Sequence, residues 1–414
     1  MSSNLQSSNR PWRILIIAGE ASGDLHGAKL ALALQREIQS TLPDRPGLEE
    51  HGLKLEGVGG KLMQAAGVKL LGDIQGLGVV GVVEVLGHWQ SIWKVYRTIR
   101  ERLYTEPSDL VILIDYPDFN LRVAKIARRV GVPIIYYISP QVWAWRQGRI
   151  RTIARLIDKM LVIFPFEKRL YDAWGVKSEF VGHPLLDDLH PLPGRTLLRC
   201  QLGLEPGRLT VGLLPGSRRQ EVCRLLPAML GAMRRLKERL PELQLVLAVA
   251  PSLEPGVVES IISTSGISRG SGLEVTLVSG KSDEVISASD AVVVASGTAT
   301  LQAAIHEIPM VIVYRVSGLT YLLGKMLIHT EHIGLANVVA QERIVPELLQ
   351  SRVTARAIEG EVYRMLTDSA YAEQIRKGLS QVRARLGSPG ASSRAARIIF
   401  DFLCERKKKL VRCK

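Results

Sequence analysis

Residues 12–24 read WRILIIAGEASGD: a largely apolar run, Trp12–Ala18, then Gly19 and Glu20, then the start of a helical pattern that continues to about Gln35. A continuous apolar run, rather than one alternating with polar residues, suits a strand buried on both faces of a parallel sheet. A glycine turn leading directly into a helix is the opening of a βαβ crossover. The same unit recurs at Leu110–Ile114 (LVILI), Pro133–Ile138 (PIIYYI) and Lys159–Ile163 (KMLVI). It restarts at Leu209–Leu214 (LTVGLL) and continues through Leu243–Ala250, Glu274–Val278, Ala291–Ala295 and Met310–Tyr314. Between the two sets lies His183–Arg195, which holds Pro184, Pro191 and Pro193. A second break is the small-residue stretch Gly387–Ser393, followed by a short apolar helix and a basic tail, Arg406–Lys414. The pattern predicts an α/β protein of two Rossmann-like, doubly wound lobes with a cleft between them. The lobes are residues 1–185 and 186–386, with 387–414 as a C-terminal helix and tail.

Composition narrows the field. The chain has 414 residues, 46% hydrophobic and 23% charged. These values exclude a disordered chain, a collagen-like chain and a small disulfide scaffold. Lys and Arg number 54 against 40 Asp and Glu, a formal charge of +14. That excess predicts an anionic partner: nucleic acid, an acidic membrane surface or a phosphorylated ligand. Cysteines at 200, 223, 404 and 413 form no C-x-x-C pair, which fits reduced thiols in a cytosolic protein. The first ten residues lack the apolar core of a signal peptide. The longest uncharged stretches, Gly131–Trp145 and Ala291–Ile305, are broken by polar residues and Pro, so no membrane-spanning helix is expected.

Candidate chemistry sits where strands end. The turn Gly19-Glu20-Ala21-Ser22-Gly23-Asp24 carries two carboxylates, which suit hydroxyl binding or proton abstraction better than phosphate. The plainer reading is that Asp24 or Ser22 caps the helix. Asp115 follows LVILI directly, where a general base is useful; Asp118 reads as the helix cap. Ser139–Arg146 (SPQVWAWR) follows PIIYYI and reads as a wall of a ligand cleft, with Trp143 at its centre. Gly216, Ser217 and Arg218 open the second lobe as a diphosphate cradle, and Ser296, Gly297 and Thr298 repeat that geometry. Two such turns in one lobe favour a nucleoside diphosphate over a lone phosphate.

Gly76–Gly81 (GLGVVG) matches the dinucleotide fingerprint, but Leu70–Asp73 before it makes a poor core strand, so a nicotinamide or flavin site is not expected. The surrounding Ile74–Val83, with Gly76, Val79 and Val80, offers instead an apolar surface for acyl chains or membrane. His329 and His332 lack metal-site spacing, and no Walker loop or nucleophile elbow is present.

An ordered set of motifs runs from about Ile14 to about Leu349. It includes AGEASGD (Ala18–Asp24), GVGGKLM (Gly57–Met63), GVVEVLGH (Gly81–His88), IDYPDFN (Ile114–Asn120), SPQVWAWR, FPFEK (Phe164–Lys168), VGHPLLD (Val181–Asp187), LLPGSR, SGTATLQ (Ser296–Gln302) and GLANVVAQERIVPELLQ (Gly334–Gln350). In these the chain resembles the lipid-A-disaccharide synthases, glycosyltransferases of the two-lobed GT-B fold. The resemblance implies transfer of 2,3-diacylglucosamine from UDP-2,3-diacylglucosamine to 2,3-diacylglucosamine 1-phosphate, with inversion and without a metal or other cofactor. It implies roles for Glu20, Asp115, Arg218 and Asn337, a place peripheral on the cytoplasmic face of the inner membrane, and a homodimer through the second lobe. The family's SGT segment usually ends in Glu, which meets nucleotide hydroxyls; here that position is Gln302.

Two other readings are weighed against this one. A UDP-N-acetylglucosamine 2-epimerase would share the fold but leave the apolar glycine-rich segment without a purpose. A nucleic-acid binder would use the tryptophans and arginines, but the basic residues are scattered rather than gathered on one element, so nucleic acid is not expected as a partner.

Overall fold

The computed structural model describes residues 10–41, 52–73, 82–144, 148–264, 274–317 and 331–412. The chain divides into two compact units, residues 1–188 with 386–414, and residues 189–385.

The first unit is a parallel sheet of β1 (Trp12–Ala18), β2 (Leu53–Gly59), β3 (Lys69–Asp73), β4 (Leu110–Ile114), β5 (Ile134–Tyr137), β6 (Lys159–Val162) and β7 (Ser178–Phe180). Their order is β3-β2-β1-β4-β5-β6-β7. The helices are α1 (Ala21–Thr41), α2 (Lys61–Ala65), α3 (Val82–Thr105), α4 (Pro117–Arg129), α5 (Arg149–Leu156) and α6 (Pro165–Asp172). The β4 strand is buried along its whole length, as its continuous apolar sequence requires. Each such aliphatic side chain contributes about 1.5–3 kcal/mol.

The second unit repeats the plan. Its strands are β8 (Thr210–Leu214), β9 (Gln244–Val249), β10 (Val275–Ser279), β11 (Ala291–Ala295), β12 (Met310–Tyr314) and β13 (Glu347–Leu349), in the order β10-β9-β8-β11-β12-β13. Its helices are α7 (Arg195–Gln201), α8 (Arg219–Arg239), α9 (Val257–Thr264), α10 (Ser282–Ala288), α11 (Thr298–Ile305), α12 (Leu335–Ala340), α13 (Ala355–Thr367) and α14 (Ser369–Arg385).

In each unit the strand order reverses once. In the first the reversal lies between β1 and β4, where Ala18 stands beside Ile114. In the second it lies between β8 and β11, where Leu214 stands beside Val294. At such a switch point the two crossovers leave on opposite faces of the sheet, and a crevice opens beyond the strand ends.

Sequence periodicity finds the central strands and the edge strand β10, and misses β2, β3, β7 and β13. In β2, LKLEGVG alternates and holds Glu56, a buried carboxylate paired with Arg102 at 2.7 Å. The Leu70–Asp73 stretch, read as a poor core strand, lies within β3, half-exposed at the sheet edge. The G-x-G-x-x-G motif itself, with Gly76, Val79 and Val80, lies outside the described residues.

The segment set apart as 387–414 belongs to the first unit. It forms one continuous helix, α15 (Ala391–Arg412), into which the expected basic tail is absorbed up to Arg412. The helix packs along α1, with Phe400 edge-on to Trp12 at 5.6 Å. Its N-terminus is held by Asp187, whose carboxylate accepts from the backbone N–H groups of Gly390, Ala391 and Ser392 at 2.6, 3.1 and 3.2 Å. Arg394 ties the same end to the Val181 carbonyl at 2.8 Å.

Candidate active site

Asp115 ends β4 at the first switch point. It and Tyr116 both adopt left-handed backbone conformations, with φ of 42° and 45°. Two consecutive residues of this kind cost about 1–3 kcal/mol each and persist only where the surroundings enforce them. The enforcement is visible at the Asp115 carbonyl, which accepts from the Tyr136 hydroxyl and, at 2.6 Å, from Asn120 Nδ2. Across the crevice, Gly19 lies under the Tyr116 ring. A Cβ at residue 19 would stand 2.2 Å from Tyr116 Cγ, so no larger residue fits.

Burial first, and then the negative charge of Glu20, push the Asp115 carboxyl up to about 6. A carboxyl of that strength is still ionised at neutral pH and is a better proton acceptor than an ordinary Asp. Glu20 is itself half-buried, in the turn between β1 and α1.

The second carboxylate of the first turn is not part of this site. Asp24 lies in the first turn of α1, buried. It accepts from the N–H groups of Gly60 (2.7 Å), Leu62 (3.1 Å) and Met63 (3.0 Å). It thus caps, but the helix it caps is α2, across the crossover. Asp118, in the first turn of α4, pairs with Arg149.

Trp143 is half-buried and anchored. Its indole N–H donates to Glu167 Oε1 at 3.1 Å, and its ring meets Phe166 edge-on at 5.3 Å. Burial raises the Glu167 carboxyl to about 8, and Glu167 also accepts from the Phe164 N–H. Trp143 is therefore a tether between the 139–144 loop and α6. The rest of the motif, Trp145 and Arg146, lies outside the described residues.

At the second switch point, seven of the eight residues expected around the diphosphate line one cavity of about 360 Å³. Gly216, Ser217 and Arg218 come from the turn after β8. Ser296, Gly297 and Thr298 follow β11, and Gln302 lies one turn into α11. The volume is in the range of small-molecule sites. Gly216 has φ of 113°, and a Cβ there would stand 2.6 Å from Glu221 Oε2. Beside Gly297, by contrast, nothing lies within 4 Å of where a Cβ would be, so backbone faces open space. The first turns of α8 and α11 aim their N–H groups at this end of the sheet, a favourable field for an anion. Arg218 adds a mostly exposed guanidinium, 3.5 Å from Glu221.

Asn337, the eighth, is not at the cavity. It is fully buried, and both ends of its amide are engaged. Nδ2 donates to the Val345 carbonyl (3.0 Å) and to Glu347 Oε1 (2.8 Å), while Oδ1 accepts from Ile344 and Val345 N–H. Glu347 in turn accepts from the Ile333 and Gly334 N–H groups, and the Ile333 carbonyl accepts from Ser296 Oγ at 3.0 Å. This chain of hydrogen bonds links Asn337 to Ser296, which lines the cavity.

Sequence reading missed Glu221 and Ser282, which line the cavity, and Asp283 and His306, which stand behind Gln302. Glu221 carries a readable signal, a carboxylate three residues after the helix start at Arg218. The others have none, because they are joined only by the packing of α10 on α11.

Comparison with known proteins now bears on this geometry. Residues 14–399 match the model of the family described as lipid-A-disaccharide synthetase. A lipid-A-disaccharide synthase of Geobacter sulfurreducens is 47% identical over 397 residues, covering 96% of this chain and 99% of its own. That of Myxococcus xanthus is 42% identical, covering 95% and 98%. Among solved structures, the UDP-GlcNAc 2-epimerase of Neisseria meningitidis bound to UDP-GlcNAc aligns with a TM-score of 0.56 at 12% identity, covering 95% of this chain and 100% of its own. The calicheamicin glycosyltransferase CalG4 aligns at 0.57 and 16% identity, covering 95% and 98%. These distant likenesses establish the GT-B fold, which epimerases and glycosyltransferases share. The near full-length relatives decide between them: the chain belongs to the lipid-A-disaccharide synthase family and is a glycosyltransferase of lipid A biosynthesis.

Proposed function

We propose that the enzyme transfers 2,3-diacylglucosamine from UDP-2,3-diacylglucosamine to the 6-hydroxyl of 2,3-diacylglucosamine 1-phosphate, with inversion at the anomeric carbon. The observation that carries the mechanism is the half-buried switch-point carboxylate Asp115, pushed up to about 6 by desolvation and by Glu20 beside it. Asp115 takes the proton of the acceptor 6-hydroxyl. The oxygen forms a bond to the donor anomeric carbon from the face opposite the phosphate, the bond to the UDP oxygen breaks, and UDP leaves with the electron pair. The charge that develops on the leaving diphosphate meets Arg218 and the N-termini of α8 and α11, which are oriented before the reaction begins. Glu20 keeps Asp115 basic. Gly76, Val79 and Val80 shield acyl chains.

The enzyme meets these lipids at an anionic membrane surface, on the cytoplasmic face of the inner membrane. No helix among the described residues is long and apolar enough to cross a membrane. The exposed face of α3 supports peripheral contact: Trp93 and Tyr104 are half-exposed, with Arg97 and Arg100 between them. Aromatic rings with basic residues suit the headgroup region.

The test is incubation of the purified protein with both glycolipids. The expected products are one disaccharide 1-phosphate and one UDP per turnover, with a β linkage by NMR. An α linkage would refute inversion. Turnover of UDP-N-acetylglucosamine alone, without a lipid acceptor, would support the isomerase instead.

A further inference from the structure

Gln302 lines the cavity, and behind it stands a chain of polar side chains joining α10 to α11. Gln302 Nε2 lies 3.2 Å from Asp283 Oδ2. His306 Nε2 lies 3.0 Å from Asp283 Oδ1, and His306 Nδ1 lies 3.1 Å from Ser287 Oγ. Asp283 and Ser287 are four residues apart on α10, and Gln302 and His306 four apart across the end of α11. Two helical faces thus meet rung to rung.

The chemistry of Asp283 fixes the direction of its two bonds. An ionised carboxylate only accepts, so both Gln302 Nε2 and His306 Nε2 must donate to Asp283. His306 Nδ1 is hydrogen-bonded to the Ser287 hydroxyl on its other side. Turning the Gln302 amide over would set two acceptor oxygens against each other. One of the two amide N–H groups is therefore committed to Asp283, which fixes how the amide is turned; the carbonyl oxygen and the second N–H remain for a ligand.

We propose that Asp283 is a positioning residue that fixes the orientation of the Gln302 amide, so that this side of the cavity selects a ligand bearing a hydroxyl there. This rests on the reading that the cavity takes the nucleoside diphosphate part of the donor. The hydroxyl belongs to the ribose or to the transferred sugar. The same geometry explains why Gln suits this position: a carboxylate on residue 302 would face the Asp283 carboxylate at hydrogen-bond distance, and like charges there repel.

Calorimetry with UDP, 2′,3′-dideoxy-UDP and UDP-N-acetylglucosamine tests the proposal. Wild type should bind UDP about tenfold more tightly than the dideoxy analogue, the value of one well-made hydrogen bond. Asp283→Ala should reduce that preference to about twofold while leaving dideoxy-UDP affinity unchanged. If the hydroxyl is the sugar's, the preference for UDP-N-acetylglucosamine over UDP collapses in Asp283→Ala instead. Gln302→Glu should weaken UDP about tenfold at neutral pH. The double variant Asp283→Asn with Gln302→Glu should restore it, because the amide introduced on α10 donates to the new carboxylate while its oxygen still accepts from His306. Full wild-type discrimination on both arms in Asp283→Ala, or a Gln302→Glu enzyme that binds as well as wild type, overturns the proposal. Failure of wild type to bind any of the three ligands overturns the donor reading beneath it, a separate and recognisable result.

Discussion

Replacing Asp115 by asparagine should make the protein more stable and nearly inactive. In the folded state burial and Glu20 hold the carboxyl at about 6, against 3.8 for the unperturbed group. That difference is worth about 3 kcal/mol of ionisation penalty at neutral pH. The sign follows from proton binding. The folded state binds this proton more tightly than the unfolded chain does. The group's contribution to stability is therefore full below about pH 3.8 and lost as pH rises through about 6. The asparagine side chain is neutral throughout and nearly isosteric. Its advantage should be largest at pH 7–8, on the order of 3 kcal/mol and several degrees in Tm, and should fade as pH falls toward 4. Turnover should drop by roughly 10²–10⁴-fold, the usual value of a positioned general base. In wild type, kcat/KM should fall on the acid side with an apparent pKa near 6. Scanning calorimetry across pH, beside a disaccharide assay, checks both halves. An Asp115→Asn variant that melts below wild type at pH 7.5 would refute the desolvated, disfavoured carboxylate. Near-normal turnover would remove Asp115 from the role of base.

Three further outcomes are expected. Glu20→Gln removes the second cause of the raised Asp115 carboxyl, so the acid limb of the pH–rate profile should move down by roughly half a unit with activity retained; collapse of turnover with Asp115→Asn still active would make Glu20 the base. Arg218→Ala should raise the KM for the UDP-sugar about 10–100-fold with little change in Tm, because its side chain is 64% exposed and its loss leaves no buried gap. Asn337→Ala should destabilise the second unit by about 2–4 kcal/mol, since it strands two N–H groups and a buried carboxylate, while UDP affinity measured well below the melting transition changes only a few-fold. A large loss of UDP binding without loss of Tm would instead make Asn337 a ligand contact.

What the residues revealed and what they hid follow from the range of the interactions. The central strands were legible because burial on both faces writes an unbroken apolar run, and Ala291–Ala295 stands in the structure where the sequence put it. Both crevices were legible for the same reason: the ends of β1, β4, β8 and β11 are the ends of those runs. Edge strands such as β3 and the short β13 hold too few buried side chains to leave such a trace. Residue roles were harder. Asp24 and Glu20 look alike in a turn, and only the position of α2 makes one a cap and leaves the other beside Asp115. Asn337 looks like a ligand because a polar residue in a matched motif invites that reading. Its partners Val345 and Glu347 lie beyond a helix end, so the sequence does not show that its amide is satisfied from within.

The placement of α15 has a consequence for how the chain is made. One side of α1 is covered by α15, a helix that begins only at Ala391. A nascent first unit therefore leaves the ribosome with that face uncovered and waits while residues 189–385 are synthesised. At roughly 5–20 residues per second the delay is about 10–40 s. During that interval the early half exposes grease, and the late half can already close its own sheet. Native structure in this protein should thus be acquired out of order, with the middle of the polypeptide finishing before its beginning.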